Sequence, residues 1–590
     1  MKRTFLFLCG IVLAISAETL FAARYVSVPV DSRVYQIMDN AVAKGVISQI
    51  PNIRPYTAND AIRYLEEISQ SDLITEKERS DVRFWINELE RQYGSNEIPN
   101  QNVWRQGFYR FNDERFQSNV TIGARFAVQE TGGTLLENPS FAYDSRNAVT
   151  AYLKGDLGTH LSYSMDFTFR VDRLDDSVFL PSEFSIPAEG FYQYLKWVQE
   201  GTAQSLPMAG FANSNSMSPE FVGSFLDSRL IVRFASIPRD WGPGLGNLLL
   251  SGTARSFDGV DAIFSFAPNL RMGFVTGSLG VFNMTDNGNE TVVDYTRSES
   301  LTYQNNYSAH RVEWDVTPHF TLGVSEGVVY RRRLLFGYLN PFSVYYIVQG
   351  ADGDRDNCIA SMDFQYTLPG IARMYGSFVA TEVSAYGGFG KILVNPRNAI
   401  GLQGGMDIPL NVGSFTTLTA QITYLSPFVY THYLNKDDDD ADYSTTYINK
   451  GQALGYSLSQ NTIEYLLGLR TSLAEGLTGK TTVKLQQRSY QYGKSNLSTD
   501  FDYDSDDLYA YEDFFAFIGN YKLSLELGLE KQFSSFPLTI SGSLRFQSEW
   551  DRPITNESND QNKYGYTTEL GAWASPVFGL YGTIGVKLYY

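Results

Sequence analysis

Cysteine is nearly absent from this chain: 590 residues carry two, Cys9 and Cys358. They allow at most one disulfide and none of the clustered spacings of a structural zinc site. Histidine is almost as scarce, with His160, His310, His319 and His432 scattered and no HExxH pattern. The "GKT" at 479–481 lacks the upstream glycine of a phosphate loop. With no catalytic motif in evidence, the expectation is a protein that is not an enzyme and carries no cofactor. Positive charge is short as well. Lys and Arg number 47 against 65 Asp and Glu, a net charge of −18, which argues against a nucleic-acid partner because phosphate binding needs clustered cations. Long apolar runs are missing after the first two dozen residues, so no spanning helix is predicted.

The N-terminus, "MKRTFLFLCGIVLAISAETLFAA", has two basic residues, an apolar run from Phe5 to Ala17 and small residues at Ala22 and Ala23. That order predicts a secretory signal peptide over residues 1–22. Its cleavage removes Cys9 and leaves Cys358 without a partner.

Aromatics and glycines are plentiful: 39 Tyr, 39 Phe and 50 Gly. The pattern they sit in changes along the chain. Residues 23–100 read as a helical module. "TANDAIRYLEEI" starts with Thr57 as a cap and Asp60 three residues on, followed by Ile62, Leu65 and Ile68 at helical spacing. "TEKERSDVRFWINELERQYG" repeats the device with Thr75 and Glu78, and Gly94 stops it. An earlier stretch places Val34, Ile37, Met38 and Ala41 on one face.

From residue 104 to 590 the period is two. In "HLSYSMDFTFRVD" and "YKLSLELGLEKQ" apolar and polar residues alternate for about ten positions, the signature of a transmembrane barrel strand and about twice the usual length of a soluble one. Connections alternate too. "SLAEGLTG", "FSSFP" and "ASPVFG" are short, whereas "NKDDDDADYSTTYINKGQ" and "GKSNLSTDFDYDSDDLYAYED" are long and acidic. Short turns on the periplasmic side and long loops outside are the outer-membrane arrangement, with Tyr and Trp at the two interfaces. Counting "ASPVFG" as a periplasmic turn sends the last strand outward, although barrel termini normally lie in the periplasm.

The stretch "SIPRDWGPGLGNLLLSGTAR", Ser236–Arg255, resembles a segment of the Wzi family of capsule-assembly outer-membrane proteins. So do "VDSRVYQIMDNAVAKGVISQIPNIRPYTANDAIRYLEEI" and, later, "GYLNPFSVYYIVQGADGDRDNCIASMDFQYTLPGIARMYGSFVATE". The resemblance implies an all-β transmembrane barrel of about 18 antiparallel strands, a small periplasmic α-helical module, and binding of capsular or other surface polysaccharide. Read from the residues alone, the motif has a structural use, in which Gly242, Gly244 and Gly246 permit a bend around Pro243 and Trp241 anchors it. It also has a functional one, in which Trp241 stacks on a sugar while Arg239, Asp240 and Arg255 bond its hydroxyls. The bend, needing no ligand, is the stronger reading.

Two further groups stand out. "DGDRDNCIASMD" sets Asp352, Asp354, Asp356 and Asp363 at positions one, three, five and twelve of a calcium-loop spacing, but with Asn357 for the glycine and Asp363 for the glutamate. Solvated acidic loops are the plainer reading. Tyr443, Tyr447, Tyr509 and Tyr511 are expected on the long loops, as sugar contacts or as part of the outer aromatic girdle. The partners expected are surface polysaccharide and outer-membrane lipid. Two rival functions remain: a porin-like channel lined by Asp166, Arg170, Glu526 and Arg545, and a tether to peptidoglycan or periplasmic proteins through the helical module, whose pattern is similar to S-layer homology modules.

Overall fold

A computed structural model describes residues 23–94 and 109–589, except 114, 135, 137–139, 175–190, 195–210, 283–284, 287–290, 293–300, 332–334, 354, 383–397, 431–444, 451, 492–513 and 560–565. Residues 1–22, Tyr443, Tyr509, Tyr511 and Asp354 therefore lie outside the described residues.

Eighteen antiparallel strands form one closed barrel. In chain order they are β1 (Ser118–Thr134), β2 (Phe141–Leu157), β3 (Leu161–Leu174), β4 (Phe211–Phe225), β5 (Leu230–Ile237), β6 (Phe257–Ala267), β7 (Leu270–Phe282), β8 (Leu301–Thr317) and β9 (Phe320–Arg331). There follow β10 (Asn357–Leu368), β11 (Ala372–Glu382), β12 (Ala399–Leu410), β13 (Ser414–Leu425), β14 (Thr462–Ala474), β15 (Leu477–Ser489), β16 (Ile518–Gln532), β17 (Leu538–Asp551) and β18 (Val577–Tyr589). Neighbours in sequence are neighbours in space. β18 closes the ring on β1 in a register running from Leu580↔Thr134 to Tyr589↔Arg125. The two-residue period explains why: one face of each strand is apolar and points out, as with exposed Leu527 and Leu529 on β16, and closure leaves no unpaired edge.

One mouth of the barrel carries short turns such as 268–269, 318–319 and 475–476, and the other carries long connections such as 238–256, 426–461 and 552–576. The "ASPVFG" segment belongs to the last of these. Between β17 and β18 the chain makes a small hairpin, Ile554–Asn559 with Tyr566–Leu570, before turning back. The final strand thus descends, and β1 begins and β18 ends at the short-turn mouth. This corrects the expected parity; the hairpin had no alternation long enough to register as part of one long loop.

Three helices precede the wall: α1 (Arg33–Lys44), α2 (Ala58–Gln70) and α3 (Glu76–Tyr93). Their ends follow from local chemistry. Ser32 caps α1, which stops at Gly45 with φ 74°. Thr57 accepts from the Asp60 amide at the start of α2, and Thr75 with Glu78 forms a full capping box on α3. The apolar stripes close on one another around Val34, Ile37, Leu65, Val82 and Trp85, with Phe415 from the wall completing the cluster. The helices sit at the short-turn mouth. Arg33 donates to the Phe415 carbonyl (3.0 Å), Asn40 to the Thr416 carbonyl (2.9 Å) and Arg91 to the Ser534 carbonyl (3.2 Å).

The interior is partly filled. Segments 238–256, 426–430 and 445–450 and residues 452–461 fold inward and pack Trp241, Leu248, Leu249, Leu250, Tyr430 and Tyr456 against inward side chains of β7–β13, among them Val275, Tyr307, Val329, Ile359 and Val379. Each large apolar side chain so buried contributes about 1.5–3 kcal/mol.

Candidate functional site

The inward segment that follows β5 is organised by short-range bonds. Asp240–Trp241 pairs antiparallel with Ile53–Arg54 of the N-terminal segment, and the Trp241 amide donates to the Leu250 carbonyl (2.9 Å). Gly242 has φ 134°, and a β-carbon there lies 2.4 Å from Asn247 Oδ1, so glycine is required. Asn247 donates to Asp240 Oδ1 (2.7 Å) while its own Oδ1 accepts from the Gly244 amide (3.0 Å). The Gly252 amide also reaches Asp240 Oδ1 (2.9 Å).

Arg239 spends its donors inside the protein. Nε and Nη2 clasp the Asp261 carboxylate (2.7 and 2.9 Å), and the carbonyls of Ala235, Ile237 and Phe257 take the rest. Its guanidinium lies 4.4 Å from the Phe257 ring centroid. Trp241 is 4% exposed and packs among aliphatic neighbours. Both residues build the interior of the lumen and present no open face to a sugar. Arg255 is buried, and its carbonyl, like that of Ser256, accepts from Asn449 (3.0 Å).

Tyr447 is fully buried, bonded to the Tyr307 hydroxyl (2.6 Å) and the Leu249 carbonyl (3.0 Å) and stacked on Tyr430 at 5.7 Å. It is therefore no loop-tip aromatic. Only the part of its connection that turns inward carries it, which local composition cannot reveal. The calcium-type spacing does not become one loop among the described residues. Asp352 ends a short helix, and buried Asp356 accepts from Tyr338 (2.9 Å). Asp363 lies seven residues further along β10, roughly 23 Å at strand rise, where it takes both Nη atoms of Arg311 (2.5 and 2.9 Å).

What the motif does rim is a cavity of about 660 Å³ between α1 and the wall. Asp240 and Gly244–Gly246 border it, facing Arg33, Arg54, Arg373 and Arg470, with Lys480 and Arg545 beyond. Asp39 on α1 lies between two cations, Arg54 Nη2 (2.5 Å) and Arg373 Nη1 (3.3 Å), and Arg373 also grips Asp407 (2.5 Å). Burial, the largest influence on Asp39, opposes its ionisation, but the guanidiniums of Arg373 and Arg54 outweigh it and hold the carboxyl below its ordinary range. Asp240 goes the other way: burial raises it, and the pull of Arg54 and the donors on it do not make up the difference. Among the described residues Arg470 makes no hydrogen bond or ion pair. It was not singled out from the sequence, although its place at an inward position of an alternating strand was the available signal. The inward residues expected of a channel do face the lumen: Asp166 pairs with Arg125, and Glu526 with Arg545 (2.6 Å) and Lys480 (2.5 Å). The arrangement offers fixed guanidinium and ammonium donors in a polar-lined, partly enclosed space, chemistry suited to polar or anionic ligands.

No protein-family model matches the chain, and no curated protein matches it in sequence. Solved structures do. Over 96% of this chain and 99% of the other, at 12% identity and a TM-score of 0.53, it is similar to Wzi, an outer-membrane protein involved in group 1 capsule assembly in Escherichia coli and a carbohydrate-binding β-barrel. OpdL of Pseudomonas aeruginosa aligns with 80% of this chain and 98% of its own at 10% identity, with a TM-score of 0.40. OccAB3 of Acinetobacter baumannii aligns with 80% and 99% at 7% identity and the same score. The fold is that of an 18-stranded outer-membrane barrel preceded by a short helical segment.

Proposed function

We propose that this protein is a Wzi-type outer-membrane barrel that binds and anchors surface polysaccharide, with its helical segment in the periplasm and residues 1–22 serving as the export signal. The observation that carries the reading is the packed part of the lumen. A diffusion pore needs a continuous aqueous path, whereas here helices pack at one mouth and an apolar cluster containing Trp241, Leu249 and Tyr447 packs inside the wall. The space that is left is lined by cations and hydroxyl-bearing side chains, which can bond a glycan's hydroxyls and carboxylates. The likeness to Wzi over nearly the whole of both chains supports the same reading.

The test is to delete the gene and measure how surface polysaccharide divides between cells and medium. Glycan that is made but shed supports anchoring. Unchanged retention, together with steady single-channel conductance in planar bilayers, overturns it in favour of the porin reading. Unchanged retention with capture of the protein on peptidoglycan favours the tether.

A further inference from the structure

The connection between β9 and β10 does not rise away from the barrel. It carries two short helices, α4 (Phe336–Leu339) and α5 (Tyr345–Ala351), which fold back over the outside of the wall. Tyr338 and Tyr345 are fully buried there against Val328, Tyr330 and Cys358, side chains that point outward from β9 and β10. The Tyr345 ring lies 4.5 Å from that of His310, an outward residue of β8. The backbone amides of Tyr345 and Tyr346 donate to the Glu326 carboxylate (2.8 and 2.9 Å), and Glu326 lies 3.5 Å from His310.

This part of the wall is unusual. On β16 the outward positions Tyr521, Leu523, Leu525, Leu527 and Leu529 are apolar without interruption. On β9 the outward run Phe320, Leu322, Val324 is broken by Glu326, opposite His310 on β8. Six residues of a strand tilted 35–45° rise roughly 14–16 Å. Glu326 therefore falls inside an apolar band about 25 Å tall whose lower edge is marked by Phe320, Trp314 and Tyr366. A bare carboxylate at that depth is costly. The β9–β10 connection covers it and turns a second set of side chains outward: Phe336, Phe342, Val344, Tyr346 and Ile347 are between 52% and 77% exposed. Val324 and Met362, paired on the wall two residues before Glu326 along β9, are exposed as well.

We infer that residues 335–353 form a membrane-embedded strap, with Phe342, Tyr346 and Ile347 among the acyl chains of the outer leaflet and the Glu326–His310 pair sealed beneath. The inference rests on the reading of the barrel as membrane-spanning. Its test separates the two.

Nitroxide labels on Phe342→Cys and Ile347→Cys, in full-length protein reconstituted in phospholipid vesicles and folded by heat-modifiable mobility, are compared for collision with oxygen and with a water-soluble nickel chelate. Buried Cys358 stays in place. Val324→Cys on the bare wall is the lipid reference and Lys77→Cys on α3 the aqueous one. Strap labels that match Val324, with oxygen collisions several-fold above those of Lys77 relative to nickel, are the expected result. Strap labels that match Lys77 while Val324 remains lipid-like overturn the strap alone, as does shielding from both reagents, which signals a covering protein or second copy. A Val324 label that itself behaves like Lys77 overturns the membrane-spanning reading.

Discussion

The two halves of the barrel wall use their inward side chains in opposite ways. Along β7–β13 almost every inward residue is buried, and charges there are consumed in pairs: Arg311 with Asp363 and Glu313, Arg271 with Glu313 and Asp315, Arg373 with Asp407. Along β15–β18 several inward cations, Lys480, Lys484 and Arg545, stay partly exposed to the lumen and pair with carboxylates there without being buried. The lesson is that one alternating pattern builds both. An inward arginine is structural or available according to what folds in against it, and that is decided by segments hundreds of residues away.

The sharpest way to break the comparison is to remove one arginine from each half. Arg311→Ala leaves Glu313 and Asp363 buried without their shared cation and is expected to destabilise the barrel by about 3–5 kcal/mol, whereas Arg545→Ala on the wet wall costs below about 1 kcal/mol. Urea titration of the folded band on unheated gels measures both, and equal losses would contradict the division. Trp241→Ala, in the packed half, is expected to cost about 3–4 kcal/mol from lost burial and the cavity it leaves. If instead it leaves the urea midpoint in place and weakens only glycan binding, the stacking role rejected above is restored.

On the wet side, Arg470→Gln is expected to leave stability within about 0.5 kcal/mol while weakening binding of purified surface polysaccharide about tenfold, or roughly 1.4 kcal/mol. Isothermal titration checks it, and unchanged affinity removes the cavity from the binding surface. The smallest effect concerns pH. Because Asp39 titrates below its ordinary value when α1 is docked, its contribution is present above its unfolded value near about 4 and is lost as pH falls through the lower, folded one. Protection of the helical segment from an acid protease should therefore decline below pH ~4, and less steeply in Asp39→Asn.

Much of the wall was legible from sequence because a membrane barrel repeats one local rule on every strand, and the caps at Thr57 and Thr75 are equally local. The interior was not. Ile53 meets Trp241, and Tyr447 meets Leu249, across separations that no periodicity encodes. Composition marked the 435–452 stretch as an acidic outer loop, yet its second part turns inward and buries Tyr447 and Asn449. The Arg-Asp-Trp motif was conspicuous because a tight, fully bonded bend needs unusual residues as much as a binding site does. Arg470, which makes no ion pair among the described residues, looked like any other polar inward position.

The ring is closed by residues 577–589 on residues 118–134, so the final strand made is the one that seals the wall. Inside it, Ile53–Arg54 of the segment before the wall pairs with Asp240–Trp241 of the connection after β5. The barrel thus wraps part of the chain that precedes its own wall. A chain lacking β18 is therefore expected to leave the edges of β1 and β17 unpaired, a seam open to any other strand that can add to it.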